Sequence, residues 1–393
     1  EEVKARRAPN IPQKMAKKSR SSGIFFLASL LLQDAVAADV VMAEEEPLTC
    51  VAPGICKAPD TKFSRVITGP KPGLQWNING GFCGSFSTQQ SALAKGAYLS
   101  QDKVRKANRL GPDEPHGEHG NTDLGWEVMP ANVAFTAKKL GLKYEEFDYT
   151  QPKPQAEAFK KFLKRNLAQG HPIVWFPMCK GDDHECYEGK SCPNGGHVDH
   201  VEPMFGIFSN HELNDTTVYE DDWILHASDQ DLMPYYRTLN SLPDSTKMDG
   251  NCKNAQPGFG KNEMYPCVDE EVSYGLAVKG LDIEGAHTVA LTIPITREPD
   301  VRMIQSPIEI TGTVVVENLK PKTSYVLLRY DNPQALPKQP PFDDYTAVVP
   351  FETCKMGRWS YEDPKPFLSN STVYYFAADF SDVSGLEDDS IVV

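Results

Sequence analysis

A cysteine in a glycine-rich segment is the residue of this sequence whose surroundings most favour chemistry. The stretch NINGGFCGSFSTQQSAL, residues 77–93, places Cys83 after two glycines and directly ahead of a helix-compatible run. The first turn of a helix stabilises a thiolate through the positive end of its dipole and its unpaired N–H groups. Gly80, Gly81 and Gly84 allow close approach of a substrate and can direct N–H groups at an oxyanion. Two roles are therefore open for Cys83, an attacking thiolate and half of a structural disulfide.

The number of cysteines bears on that choice. The chain has nine, so in an oxidising compartment eight can form four bridges and one remains. The leftover thiol favours a nucleophilic Cys83. The pairs that close short loops are Cys50 with Cys56, Cys252 with Cys267, and two among Cys179, Cys186 and Cys192, whereas Cys354 needs a distant partner.

Three segments with helical periodicity are expected to support this site. Each places apolar residues on one face, and the second and third end at a glycine, as helices often do. The apolar positions are Phe86, Leu93 and Ala97 after Cys83; Val133, Ala137 and Leu140 before Gly141; and Phe159, Phe162, Leu163 and Leu167 before Gly170.

Short runs rich in β-branched and aromatic residues follow the helical segments and predict strands. Three of them lie at 171–177, 200–208 and 222–228, and helices followed by strands indicate an α+β fold. After about residue 285 only strand-like runs remain: AHTVALTIPI, IEITGTVVVENL, TSYVLLRYD, YTAVVPFE and TVYYFAADF. About 100 residues of this kind are typical of a β-sandwich.

The segment around Cys83 resembles a known family. FCGSFSTQQSALAKGAYLS is similar to the Cys-Gly helix opening of the bacteriocin-processing, double-glycine-type cysteine peptidases (C39-like), and the likeness extends to about residue 230. It implies a papain-like fold. FKKFLKRNLAQGHPIVWF matches the helix and apolar strand that the family carries between its catalytic segments.

The resemblance also implies roles for individual residues. In HVEPMFG, His200 matches the catalytic histidine, because Gly206 follows at the family's spacing, and Asp229 matches the aspartate that orients it. Where the family has an oxyanion-binding glutamine six residues before the cysteine, this chain has Asn77, and Gln75 is the nearest glutamine. A papain-type alignment that instead makes Cys83 a structural half-cystine puts Phe86 at the attacking position and implies a dead enzyme. His200 then becomes an ordinary strand-edge histidine.

The N-terminal residues have the features of a secretory signal peptide. Basic residues precede a ten-residue apolar run at 23–32, and Ala35 and Ala37 have the spacing that a signal peptidase needs. The run is too short to span a bilayer, and Met15 is a candidate start. We expect a signal peptide at 1–37, an extension with little regular structure at 38–70, a papain-like peptidase-like domain at 71–284 and a β-sandwich at 285–393. VENLKPKTSYVLLRYDN in the last part resembles a fibronectin type III module.

The charge and the motifs of the sequence limit the classes of molecule that the protein is expected to bind. Without residues 1–37 the chain has 33 basic and 51 acidic side chains, which disfavours nucleic acid and anionic lipid as partners. We expect no cofactor, no metal site and no stable membrane anchor after signal removal. The paired His116 and His119 fit a solvated loop better than a metal site. Asn214 and Asn370 lie in glycosylation tripeptides and agree with a secreted protein.

The sequence therefore predicts a secreted cysteine peptidase-like protein that acts on a peptide or protein substrate by hydrolysis or acyl transfer. The catalytic residues would be Cys83, His200 and Asp229, with Asn77 or Gln75 at the oxyanion. The alternative is an inactive peptidase-like adhesion or binding protein that uses its cleft and its sandwich to hold an extracellular partner.

Overall fold

The fold was determined from a computed structural model. It describes residues 57–76, 81–107, 128, 130–148, 151–152, 154–176, 178–180, 197–199, 201–227, 229, 232–242, 274–294, 306–353, 357–384 and 386. The predicted signal peptide, the paired His116 and His119, and every cysteine except Cys83 and Cys179 lie outside these residues.

The described residues contain four α-helices. They are α1 (Cys83–Leu93), α2 (Gln101–Ala107), α3 (Pro130–Lys139) and α4 (Ala156–Ala168). The three predicted helical segments correspond to α1, α3 and α4, whereas the sequence analysis missed α2. The expectation that the first helix continues to Ala97 is wrong, because Gly96 turns the chain at a φ of 78° and Ala97 enters a strand.

Helix α4 is the clearest case of an amphipathic helix lying on a sheet. Its four predicted apolar residues are all buried, and they pack in one cluster with Ile173 and Trp175 of the sheet. The chain leaves this helix at Gly170, which has a φ of 81°, a left-handed conformation that favours glycine.

A seven-stranded antiparallel sheet forms the centre of the first part of the chain. The strands along its path run in the order β3, β10, β4, β7, β8, β9, and β1 pairs beside them with β7. Their bounds are β1 (Phe63–Val66), β3 (Leu142–Glu146), β4 (Ile173–Trp175), β7 (Glu202–Ser209), β8 (Trp223–Ala227), β9 (Pro234–Thr238) and β10 (Gly275–Leu281). In a separate two-stranded sheet, β5 (Met178–Lys180) pairs antiparallel with β6 (His197–Asp199). Strand β1 lies in the stretch 38–70, where the sequence predicted little regular structure.

The C-terminal strands form further antiparallel sheets. The larger ones have the orders β15, β14, β18, β2 and β11, β13, β16, and a small one pairs β12 with β17. The bounds are β2 (Ala97–Leu99), β11 (Ala290–Thr292), β12 (Glu309–Ile310), β13 (Thr313–Val316), β14 (Ser324–Tyr330), β15 (Ala347–Glu352), β16 (Trp359–Glu362), β17 (Phe367–Leu368) and β18 (Thr372–Asp379). A mixture of helices and mostly antiparallel strands confirms the predicted α+β class.

The four-stranded C-terminal sheet is covered on both faces. Leu327 and Tyr375 face a core shared with the three-stranded sheet, whereas Leu328 and Phe376 face a core shared with α1, α2 and α3. Strands buried on both sides need nearly continuous apolar sequence, which explains the runs YVLLRY and VYYFAA. Strand β2, which follows α1, pairs with β18 and so belongs to this sheet.

Helix α1 occupies the middle of this arrangement. Each of its residues from Gly84 to Leu93 is buried, although many of them are polar. It packs against β7 and β4 of the first sheet, and β2 leads from its C-terminal end into the second. The helix that begins at Cys83 is therefore held from several sides along its whole length. Of the helices in the described part of the chain, none is long and apolar enough to cross a bilayer.

Candidate active site

Cys83 is the first residue of α1 and is half-buried. In the part of the chain that the structure describes, it carries a thiol and forms no disulfide. The first turn of α1 contains no acidic side chain, and no side-chain cap binds its N–H groups. Since the N–H groups of the first turn have no acceptor within the helix, they and the helix dipole favour negative charge at this end. The position suits a thiolate.

The polar residues of α1 fasten the helix to surrounding backbone. Ser87 Oγ donates a hydrogen bond to the Val201 carbonyl oxygen (2.9 Å), and Gln89 Nε2 donates to the Leu99 carbonyl oxygen (2.9 Å). Ser87 is four residues after Cys83, so it lies one turn away on the same side of the helix. The segment that enters β7 is thus bound to α1 just below the thiol.

Gln75 is buried against the start of α1. Its Oε1 accepts a hydrogen bond from the Phe82 N–H (2.9 Å), the residue immediately before Cys83. Because that partner is a donor, the amide oxygen must face it, and Nε2 is left as the donor of the side chain. Among the described residues, none hydrogen-bonds with Gln75 Nε2. Gln75 therefore offers an amide N–H next to the cysteine.

Two residues of α2 hold the segment around Gln75, and sequence analysis missed both. Gln101 Oε1 accepts from the Trp76 N–H (2.8 Å) and its Nε2 donates to the Leu74 carbonyl oxygen (3.1 Å). Arg105 donates to the Gly81 carbonyl oxygen, and its guanidinium lies 4.4 Å from the centre of the Phe82 ring. No motif in SQDKVRKA marks them. They become recognisable only when α2 is seen beside α1.

Asp229 lies just beyond the end of β8 and is fully buried. Its carbonyl oxygen accepts a hydrogen bond from the Gln75 N–H (2.8 Å), so these two predicted site residues are neighbours. Strands β7 and β8 are antiparallel, with Met204 opposite His226. The segment that enters β7 at Val201 and the segment that leaves β8 towards Asp229 therefore lie at the same end of these two neighbouring strands.

The other two predicted catalytic residues, His200 and Asn77, lie outside the described residues. The structure brings together Cys83, Gln75 and Asp229 through Phe82 and the backbone of Gln75. It also fixes Val201, the residue that follows His200 in the sequence, against α1.

A buried histidine and carboxylate on β7 and β8 were also missed by sequence analysis. His226 Nδ1 lies 2.7 Å from Glu202 Oε2, and both side chains are almost fully buried. The His226 ring contacts Trp175 edge-on and stacks on Tyr235. His226 was visible in the run WILHASD but carried no motif. Its enclosed surroundings suit a structural role in the sheet.

The predicted glycosylation sites both lie in turns. Asn214 is exposed, whereas Asn370 is partly buried in the turn between β17 and β18. A glycan is bulky and needs solvent around its attachment point. Asn214 is therefore the better acceptor of the two.

Gly84, the second residue of α1, is required by its contact with Val128. A Cβ at this position would lie 2.4 Å from the Val128 carbonyl oxygen, a backbone atom that cannot rotate away. We expect Gly84→Ala to destabilise the protein by about 1–2 kcal/mol, since overpacking outweighs the better helix propensity of alanine. Urea unfolding measures this effect. Gly280→Ala is the matched control, because its Cβ would meet nothing closer than Thr288 Oγ1 at 3.4 Å. A Gly84→Ala protein as stable as wild type would contradict the packing described.

In the described part of the chain, no group of three or more His, Cys, Asp or Glu side chains is arranged to hold a metal ion. What the site offers instead is a thiol at a helix start, an amide donor and a buried carboxylate. No family model matches the chain, and no curated protein matches it either.

Proposed function

We propose that the chain is a secreted, papain-like cysteine hydrolase that cleaves peptide bonds through Cys83. The observation that carries the proposal is the meeting of three separate chain segments at the start of α1. Gln75 bonds to the residue before Cys83, the Asp229 backbone bonds to Gln75, and Val201 bonds to Ser87 one turn below the thiol. In papain-like enzymes the catalytic groups likewise come from distant parts of the sequence and meet at a helix start.

His200 is the proposed general base. It directly precedes Val201, and the hydrogen bond from Ser87 Oγ to the Val201 carbonyl oxygen ties that point of the chain to the face of α1 that follows Cys83. Asp229 is the proposed orienting carboxylate, since it follows the end of β8 that lies beside the start of β7. A buried aspartate beside a histidine stabilises the imidazolium that forms during catalysis.

The proposed reaction runs in two steps. Before the reaction begins, His200 holds the proton of the Cys83 thiol. The Cys83 thiolate attacks the carbonyl carbon, and the N–H groups of Cys83 and Gln75 Nε2 bind the oxyanion. His200 then protonates the leaving amine as the C–N bond breaks, which leaves a thioester on Cys83. A water molecule, deprotonated by His200, hydrolyses the thioester and restores the Cys83 thiolate beside the protonated His200. An amine in place of water would give acyl transfer by the same intermediate.

Alkylation by iodoacetamide across pH tests this proposal. An ordinary thiol with a pKa of about 8.5 reacts roughly 100-fold faster at pH 7.5 than at pH 5.5, because only the thiolate reacts. For Cys83 we expect less than a threefold change over this range, since its thiolate would already be formed. Mass spectrometry of the Cys83 peptide gives the rate at each pH.

Two histidine variants complete the test. His200→Ala should restore the steep pH dependence of an ordinary thiol, whereas His211→Ala, which removes a partly exposed histidine in the turn after β7, should leave the flat profile unchanged. A steep profile in the wild-type protein would overturn the catalytic proposal. It would instead favour the binding protein that uses a papain-like shell without catalysis.

A further inference from the structure

A cavity of about 420 Å³ lies at the opposite end of α1 from Cys83. Its walls come from β1, from the turns after α1 and α4, and from two C-terminal segments at 286–290 and 315–319. This volume is in the range of pockets that hold small ligands. The cavity shares no residue with the site at Cys83.

Lys95 is the central charged group of this cavity. It is buried, and its Nζ donates to the Gly170 carbonyl oxygen (2.7 Å) and lies 3.3 Å from His171 Nδ1. An ammonium group has three N–H donors, and these two contacts use two of them. Among the described residues, no acceptor is found for the third, and Lys95 lines the cavity.

Arg65 on β1 adds a second positive charge, and it donates to the Ala168 carbonyl oxygen at the end of α4. Among the described residues, neither Lys95 nor Arg65 pairs with a carboxylate. The other charges that line the cavity already have partners: Lys279 pairs with Glu145 (2.8 Å) and Glu317 with Arg358 (3.4 Å). Within the described residues, the buried Lys95 and the exposed Arg65 are thus bonded only to neutral groups, in a protein whose net charge is −14.

The positive charges around the cavity lower one another's pKa values. Burial and, after it, the charge of Arg65 lower the pKa of Lys95 to about 8. Burial also lowers the pKa of His171 to about 4, and the charges of Lys95 and Lys279 contribute to that shift. A bound anion would relieve this concentration of positive charge.

We propose that this cavity binds a small dianion, of the sulfate, phosphate or dicarboxylate type, between Lys95 and Arg65. Two positive charges that have no carboxylate partner among the described residues match the charge of such a ligand, and the planar guanidinium and the ammonium both bind oxyanions. The proposal is independent of the chemistry at Cys83. A test that contradicts the proposed peptidase activity would leave the proposed anion binding unaffected, and the reverse also holds.

Isothermal titration of the full chain with sulfate and with succinate, at pH 7 and constant ionic strength, tests the proposal. We expect at least one of the two anions to bind saturably, with a dissociation constant below about 10 mM. Sulfate alone would indicate a tetrahedral anion, succinate alone a dicarboxylate, and both a site that recognises charge. The absence of saturable binding by either anion would overturn the proposal. Sulfate also stabilises proteins without binding a site, but that effect does not saturate.

Variants locate the binding. Lys95→Met keeps the length of the side chain and should weaken sulfate binding at least tenfold. If Lys95→Met does not fold, Arg65→Gln on the edge strand β1 is the second variant. We expect it to weaken sulfate binding several-fold. Lys338→Gln, which removes an exposed lysine paired with Asp282 outside the cavity, should bind sulfate as wild type does. Equal losses in the cavity variants and in this control would place the binding elsewhere and overturn the proposal.

The pH dependence offers an independent reading. Sulfate remains a dianion throughout, so a change in its affinity reports on the protein. Affinity should fall about tenfold between pH 7 and pH 9, as Lys95 loses its proton. The other charged or titratable groups facing this site are Arg65 on β1, His171 after α4, Lys279 with Glu145, and His287 and Glu317 on the C-terminal side. His171 is already neutral at pH 7. An affinity that does not change with pH would contradict the role of Lys95.

Discussion

Replacing Gln75 by Glu is expected to lower kcat for peptide cleavage by about 10²–10³-fold while the fold is retained. A glutamate oxygen can still accept the hydrogen bond from the Phe82 N–H that Gln75 Oε1 accepts now. A carboxylate has no N–H to donate, however, and its negative charge opposes the oxyanion. The substitution thus removes the proposed catalytic function of the side chain and keeps its structural bond.

To find a substrate for this measurement, a proteome digest is incubated with the wild-type protein and with the Cys83→Ala variant. A peptide that only the wild-type protein cleaves then serves as the substrate. Gln334→Glu is the matched control, since Gln334 is exposed and belongs to the turn that follows β14, far from Gln75 in the sequence. Asn77→Asp tests the alternative donor. If Gln75→Glu cleaves at the wild-type rate and Asn77→Asp does not, the oxyanion donor is Asn77, and the role assigned to Gln75 is wrong.

The second large effect concerns a buried ion pair behind the first sheet. Lys164 Nζ on α4 lies 2.8 Å from Asp222 Oδ2, and both side chains are fully buried. Asp222 also accepts from the Tyr219 N–H, and Lys164 also donates to the Thr217 carbonyl oxygen. Lys164→Met would leave the Asp222 charge buried without its cation. We expect a loss of about 3–5 kcal/mol in the free energy of unfolding, measured by urea denaturation.

Two controls test the role of this ion pair, one on the same helix and one at Asp222. Lys161→Met changes an exposed lysine of α4 and should alter stability by less than about 0.5 kcal/mol. Lys164→Met combined with Asp222→Asn should lose less than Lys164→Met alone, because the uncompensated charge is gone. A Lys164→Met protein that loses no more stability than Lys161→Met would show that the pair contributes nothing.

The helices that the sequence predicts well are those whose burial is one-sided. Helix α4 repeats its apolar residues at helical spacing because one face lies on a sheet and the other meets solvent. Helix α1 lacks that contrast, since every residue from Gly84 to Leu93 is buried, and its end at Leu93 is set by Gly96. Gly96 has no room for a side chain, because a Cβ would lie 2.2 Å from the Tyr375 carbonyl oxygen. A contact with residue 375 cannot be deduced from periodicity near residue 90.

The strands, too, depend on contacts between distant residues that local sequence patterns do not predict. The runs at 171–177, 200–208 and 222–228 are strands β4, β7 and β8 as predicted, although each strand is shorter than its run or shifted by a residue or two. Pro203 is the second residue of β7 and lies opposite Val174 of β4, whereas pairing with β8 begins only at Met204, so its missing N–H removes no bond to β8. The sequence analysis missed several strands, β1, β3 and β9 among them, and the clearest cases are β2 and β10. They take their places in sheets through partners more than 90 residues away.

At the candidate site, residue types were more informative than spacing. Cys83 was predicted from its glycines and the helical run after it, and the structure confirms that α1 begins there, whereas Gln75 had a spacing that differs from the family pattern. The structure gives Gln75 a bond that its spacing did not predict, because Gln101 and Arg105 hold the backbone on either side of it. The roles of His200 and Asn77 remain predictions.

The pairing of β2 with β18 has a consequence for synthesis of the chain. Strand β2 follows α1 directly, yet its partner strand ends at residue 379 of 393. While the ribosome is still translating the middle of the message, α1 lacks the sheet that covers its C-terminal end. Domains fold as their residues emerge, so the packing of the segment around Cys83 cannot be completed until β18 has also been synthesised. The start of α1 is therefore made early but reaches its final arrangement only after a long further stretch of the chain has been added.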